Sequence, residues 1–167
     1  IAAADGTGTA STVKCQGQSC ELTDWSRDGS LLATVQQERN QDVWMLPADG
    51  RGTARPLLVQ SFAERDARFS PNGRFVAYVS EESGRPEVSV QRIDGPPQRD
   101  VISVGGGDQP VWNRNGRELF FVGPQGLLHS ASISMDRDGK PRFGAPVPLK
   151  VPTIGPSYRG IQYDVSL

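Results

Sequence analysis

One histidine, two cysteines, two methionines and three lysines are all that 167 residues contain of those types, and no apolar run is longer than a few residues. Each scarcity excludes something. A run far short of the roughly 20 apolar residues that cross a bilayer leaves no segment to insert into a membrane. Two thiols and one distant imidazole do not supply the four ligands of a structural zinc. A formal net charge of −1 and the lack of any long Lys/Arg cluster remove the field that draws a chain onto nucleic acid. Ala2-Ala3-Ala4 runs straight into Asp5-Gly6 with no basic region and no apolar core, so the beginning does not read as a signal peptide. The chain reads as an internal piece or a processed product.

Glycine and proline are plentiful instead, nineteen and thirteen residues, and they cut the apolar residues into short runs. That is an all-β composition in one domain, with few long helices. The breakers are also periodic. Asp-Gly or Asn-Gly pairs begin at Asp5, Asp28, Asp49, Asn72, Asp94, Asn115 and Asp138, at intervals of 23, 21, 23, 22, 21 and 23 residues. Such pairs suit the tightest hairpins, in which both central residues take positive φ.

Alternate turns superimpose. Trp25-Ser26-Arg27-Asp28-Gly29 falls on Phe69-Ser70-Pro71-Asn72-Gly73 and on Trp112-Asn113-Arg114-Asn115-Gly116, a period of 43 to 44 residues. The middle repeat divides into strands at about 66–70, 74–80, 87–93 and 99–104, with Val88 and Val90 alternating against Ser89 and Gln91. Strands at 30–36 and 42–46 match it in the earlier repeat, and strands at 117–122 and 127–134 in the later one. A repeated four-stranded antiparallel unit of this length is a β-propeller blade, whose sheet faces are covered only by neighbouring blades. The apolar residues of the second and third strands, Leu31, Val35, Val43, Trp44, Phe75, Val76, Tyr78, Val79 and Leu119 to Val122, are therefore expected to pack between blades. The expected layout is a partial blade over 1–20, blades over about 21–60, 61–104 and 105–152, and a partial blade over 153–167. Residues 9–14 would end the first partial blade, and 161–166 would start the last.

Asp24-Trp25-Ser26-Arg27-Asp28-Gly29, Phe69-Ser70-Pro71-Asn72-Gly73-Arg74, the run from Val79 to Val88, Gly105-Gly106-Gly107-Asp108-Gln109-Pro110-Val111-Trp112 and Gly144-Ala145-Pro146-Val147-Pro148-Leu149, in this order, resemble the TolB-like, WD-repeat-like bacterial propellers. The resemblance is nearest to the propeller of receptor-like serine/threonine kinases. It implies a six-bladed ring, which at this repeat length needs about 260 residues. An arc of three blades and two partial ones leaves apolar faces open, so a second copy of the chain is expected to cover them. No kinase motif is present, and phosphoryl transfer is not implied. A periplasmic or extracellular location follows from the resemblance.

Cys15 and Cys20, with four residues between them, either form a short-loop disulfide suited to an oxidising compartment or remain free thiols. They do not belong to the family pattern.

Candidate chemistry is sparse. His129 sits in a strand-like run and reads as a structural imidazole, and no Gly-x-Ser-x-Gly elbow accompanies it. Asp136-Arg137-Asp138-Gly139 starts like a calcium loop but lacks the closing Glu, so it reads as a hairpin turn. The first strands of propeller blades line the central channel, and here their beginnings carry Glu21 and Asp24, Glu64 and Asp66, and Asp108. Asp24, Glu64, Asp66 and Asp108 are the candidate ligands for calcium, an oxygen-seeking cation. The alternative is that these acids are solvated or paired with Arg65 and Arg68. Two functions follow. The first is a non-catalytic propeller module that binds a protein or small ligand through its loops and channel mouths. The second, by analogy with gluconolactonase- and paraoxonase-type propellers, is a calcium-dependent hydrolase of a lactone or ester.

Overall fold

The structure, a computed structural model, describes residue 15 and residues 18–37, 40–49, 52–96, 98–137, 140–152, 154 and 163–165. The first sheet contains β1 (Cys20–Trp25), β2 (Ser30–Gln36), β3 (Gln41–Pro47) and β4 (Arg55–Leu58). The second contains β5 (Glu64–Phe69), β6 (Phe75–Ser80), β7 (Glu87–Arg92) and β8 (Arg99–Val101). The third contains β9 (Asp108–Trp112), β10 (Glu118–Val122), β11 (Leu128–Met135), β12 (Pro141–Phe143) and β13 (Val147–Pro148). Each sheet is an antiparallel meander in chain order, and β12 and β13 share the outer side of β11. Among the described residues no helix is long and apolar enough to cross a membrane.

The turns between first and second strands correct one expectation. Glycine alone takes positive φ in them, at 84° in Gly29, 70° in Gly73 and 69° in Gly116. Its N–H returns to the carbonyl three residues back, as from Gly73 to Ser70 at 2.8 Å. This is the longer loop that ends on one left-handed glycine, not the tight two-residue hairpin. The Asp or Asn before it is needed for its side chain. The Oδ1 of Asp28, Asn72 and Asn115 accepts the backbone N–H two residues on, from Ser30, Arg74 and Arg117 at 3.2, 3.1 and 2.8 Å. The same three bonds explain why the dipeptide recurs with the repeat.

Packing follows from the two-residue side-chain period. Every residue of β6 is buried, because both of its faces meet a neighbouring sheet. Phe75, Ala77 and Val79 join Leu119, Phe121 and Trp112 of the third sheet in one cluster. Val76 and Tyr78 point the other way and join Leu32, Val43 and Met45 of the first sheet in another. Leu31, Ala33, Val35 and Leu46 form a third cluster with Cys15 on the far face of the first sheet. Most of the apolar residues of the second and third strands thus sit between sheets, as the repeat predicts, while Leu31, Val35 and Trp44 lie on the far face of the first sheet.

Cys15 and Cys20 are joined in a disulfide. The expected strand at 9–14 and the Asp-Gly pairs at 5 and 138 lie outside the described residues. Of the expected strand at 161–166, residues 163–165 are described and are not in a strand.

Candidate functional site

The first strands β1, β5 and β9 approach one another, and their irregularities decide what they present. Pairing slips between Leu22 and Asp24 in β1 and between Arg65 and Arg68 in β5, and opposite β9 it slips between Phe120 and Val122. Asp66 and Gln109 take φ of 53° each. They are 43 residues apart, the repeat period, so the same left-handed bulge recurs in consecutive repeats. A non-glycine residue there costs of order 1–3 kcal/mol and re-aims the side chains beside it.

At this bulge Asp66 and Asp108 come together, and Arg65 stands between them. Its Nη1 lies 2.5 Å from Asp66 Oδ2 and 2.8 Å from Asp108 Oδ1, while Nη2 donates to Asp108 Oδ2 at 3.1 Å. Burial opposes the Arg65 charge, yet the bonds and charges of Asp108 and Asp66 hold its pKa above the ordinary guanidinium value. The grouping bridges the second and third sheets.

Glu64 and Asp24 have other surroundings. Glu64 is 1% exposed, in contact with Ser80, and its Oε2 has no hydrogen-bond partner among the described residues. Burial first, and the Asp42 charge second, raise its pKa to about 7 against the pull of the Gln60 N–H, the Ser80 hydroxyl and Arg99. Asp24 accepts two backbone N–H groups, from Trp25 at 2.8 Å and from Phe69 at 2.7 Å, and so ties β1 to β5. Among the described residues no group of three or more His, Cys, Asp or Glu side chains is arranged to hold a metal ion. Glu21 is exposed.

Further along the same strands a cavity of ≈ 640 Å³ opens where all three sheets converge. The first sheet contributes Asp24 and Arg27, the second Arg68, Phe69 and Pro71, and the third Val111, Trp112 and Arg114. Tyr163 and Asp164 complete the lining. The polar atoms of the aromatic rings are committed to the backbone. Trp112 Nε1 donates to the Arg68 carbonyl at 3.1 Å, and the Tyr163 hydroxyl to the Gln109 carbonyl at 2.7 Å. Burial raises the Tyr163 pKa well above its usual range, so the phenol stays protonated.

Of the three arginines, Arg68 was read only as a pairing partner for the acids, and Arg27 and Arg114 were passed over. Their signal was the repeat itself, because Arg27 and Arg114 hold the same place in Trp25–Gly29 and Trp112–Gly116, with Pro71 in the copy between them. His129 lies elsewhere, its ring stacked on Phe121 with centroids 5.5 Å apart and its Nδ1 2.9 Å from the Leu127 carbonyl. Asp136 Oδ1 accepts the Lys140 N–H at 2.8 Å, which closes the loop as a hairpin.

No family model matches the chain. Tricorn protease homolog 2 of Streptomyces coelicolor is 40% identical over 83 residues, which is 50% of this chain and 7% of that protein. Tricorn protease homolog 1 of the same organism is 31% identical over 122 residues, 71% of this chain and 11% of that protein. The chain thus spans about a tenth or less of the curated relatives it matches. Among solved structures, a TolB from Agrobacterium tumefaciens superimposes with a TM-score of 0.61 at 20% identity, over 80% of this chain and 50% of that one. TolB from Acinetobacter baumannii does so with a TM-score of 0.54 at 16% identity, over 78% and 33%. Sheets stacked face to face in chain order, with first strands converging on a cavity, therefore have the fold of a TolB-like β-propeller, of which this all-β chain forms an arc.

Proposed function

We propose that the chain is a propeller binding module without chemistry of its own, which takes a protein segment or a small ligand at the convergence of its first strands. The cavity of ≈ 640 Å³ carries this reading. Its volume falls in the range of ligand sites, and rigid sheets hold its walls. The Asp and Arg groups that a catalytic reading would use are committed instead to stitching sheet to sheet, as in Arg65 with Asp66 and Asp108.

A fragment screen by protein-detected NMR tests the proposal. Hits should shift the Trp112 indole resonance, and Val111→Trp, which fills the cavity, should abolish the shifts. Hits that ignore Val111→Trp would refute this location. The Cys15–Cys20 disulfide supports placement in an oxidising compartment, periplasmic or extracellular. Exposed Leu22, Trp25 and Val104 support a second copy as partner. A gel-filtration mass of one chain at micromolar concentration would refute that part.

A further inference from the structure

The charge balance of the cavity specifies what enters it. Asp24 and Asp164 both line it, but their carboxylates already accept backbone N–H groups, Asp24 from Trp25 and Phe69 and Asp164 from Val165. The basic groups are in the opposite condition. Among the described residues no ion pair reaches Arg27, Arg68 or Arg114, a state they share with Arg55, Arg117 and Arg137 outside the cavity. Arg68 is half-buried, and its Nε is shut off from solvent with no hydrogen-bond partner. That atom is out of reach from the cavity, but the Arg68 side chain lines the cavity, and an anion beside the unpaired guanidinium would offset the cost of the charge's partial burial. Arg27 and Arg114 sit exposed on turns at its rim, where they can approach an anion without first breaking a contact. Phe69, Val111 and the ring of Trp112 supply the apolar wall beside them.

Resting on the binding-module reading, we infer that the cavity takes an organic anion, a carboxylate carried on an apolar body, with the carboxylate between Arg68 and the rim arginines and the body against Trp112 and Phe69. Guanidinium forks match a planar carboxylate in two parallel bonds, and a charge-assisted bond in a partly enclosed site discriminates strongly against a neutral isostere.

The test compares 4-phenylbutyrate with 4-phenylbutanamide and 4-phenylbutylamine, titrated into the whole chain and read from the Trp112 indole N–H resonance. The acid should bind at least about tenfold more tightly than the amide, and the amine should not bind. Arg68→Met should weaken the acid by about tenfold or more, with Arg68→Lys recovering part of the loss. Since Arg68 is partly buried, the double change R27Q/R114Q on exposed turns provides a second variant that leaves the sheets intact. It should weaken the acid and leave the amide unchanged. Equal binding of acid and amide would overturn the charge inference while leaving the binding module standing. No binding by any of the three in the original chain would overturn the anion inference, whereas fragment hits that survive Val111→Trp would overturn the binding site itself. Competition by inorganic phosphate at equal affinity would overturn the need for an apolar body.

Discussion

Glu64 gives the fold a pH dependence that one substitution should remove. Its carboxyl lies between the first and second sheets at 1% exposure, facing Asp42 from β3, Ser80 from β6, the Gln60 backbone and the charge of Arg99. Burial and Asp42 raise its pKa from 4.5 to about 7. The folded state therefore holds this proton more tightly than the unfolded chain does. The stability it contributes is fully present below pH 4.5, is lost as pH rises through about 7, and changes no further above that. At about 1.4 kcal/mol per unit, the loss amounts to up to about 3 kcal/mol. Asp42, also raised by burial, acts in the same direction from a lower starting point. The lowered acids act in the opposite direction at more acid pH. For Glu87, burial opposes the shift, but the Ser103 hydroxyl and Arg85 prevail. Glu64→Gln keeps the shape and abolishes the charge. Urea unfolding at intervals from pH 5 to 8 should show the original chain losing stability that Glu64→Gln retains, so that the variant is the more stable by up to about 3 kcal/mol at pH 8 and close to the original at pH 5. The difference between the two curves cancels the titrations that do not couple to Glu64, which leaves the neighbouring Asp42 as a contribution that changes with it. Parallel curves across that range, or a variant that is weaker at pH 8, would refute the reasoning.

Other expectations are narrower. Leu32→Ala, at a position with no exposure between the first two sheets, should cost 2–5 kcal/mol in urea unfolding, typical of a core leucine. Gly73→Ala meets no atom within 4 Å but must keep φ near 70°, so it should cost about 1–2 kcal/mol from backbone strain alone. Reduction of the Cys15–Cys20 disulfide, which closes a loop of sequence separation 5, should lower stability by about 2 kcal/mol without opening the sheets, as read from an unchanged far-ultraviolet spectrum. Millimolar calcium or chelator should leave the thermal midpoint within about 1 °C, because Arg65 already occupies the oxygens of Asp66 and Asp108; a rise of several degrees with calcium would return those acids to a metal role.

Strand positions were legible because the Asp-Gly or Asn-Gly pairs at Asp28, Asn72 and Asn115 fix a reversal by their own chemistry, and the strands around them alternate or run apolar. β2 matches its expected span of 30–36 residue for residue. The outer strands were less legible. β8 is three residues long, and the fourth place of the third sheet is divided between β12 and β13. The site was legible only in part. That acids begin the first strands could be read, and so could the pairing of Arg65 with them. The bulges at Asp66 and Gln109 could not be read, since Gln seldom takes positive φ and Asp, though it does so more often than most, is far commoner elsewhere, and those bulges decide which side chains meet. Arg68 looked like a partner for the acids, but two residues past Asp66 it lines the cavity instead.

The account stands or falls on β6 dividing its side chains between two neighbouring sheets. Methyl-labelled NOE spectroscopy tests this directly: Val76 should show contacts with the Leu32 and Val43 methyls, and Val79 with the methyls of Leu119. Contacts from both valines to one and the same sheet would contradict it.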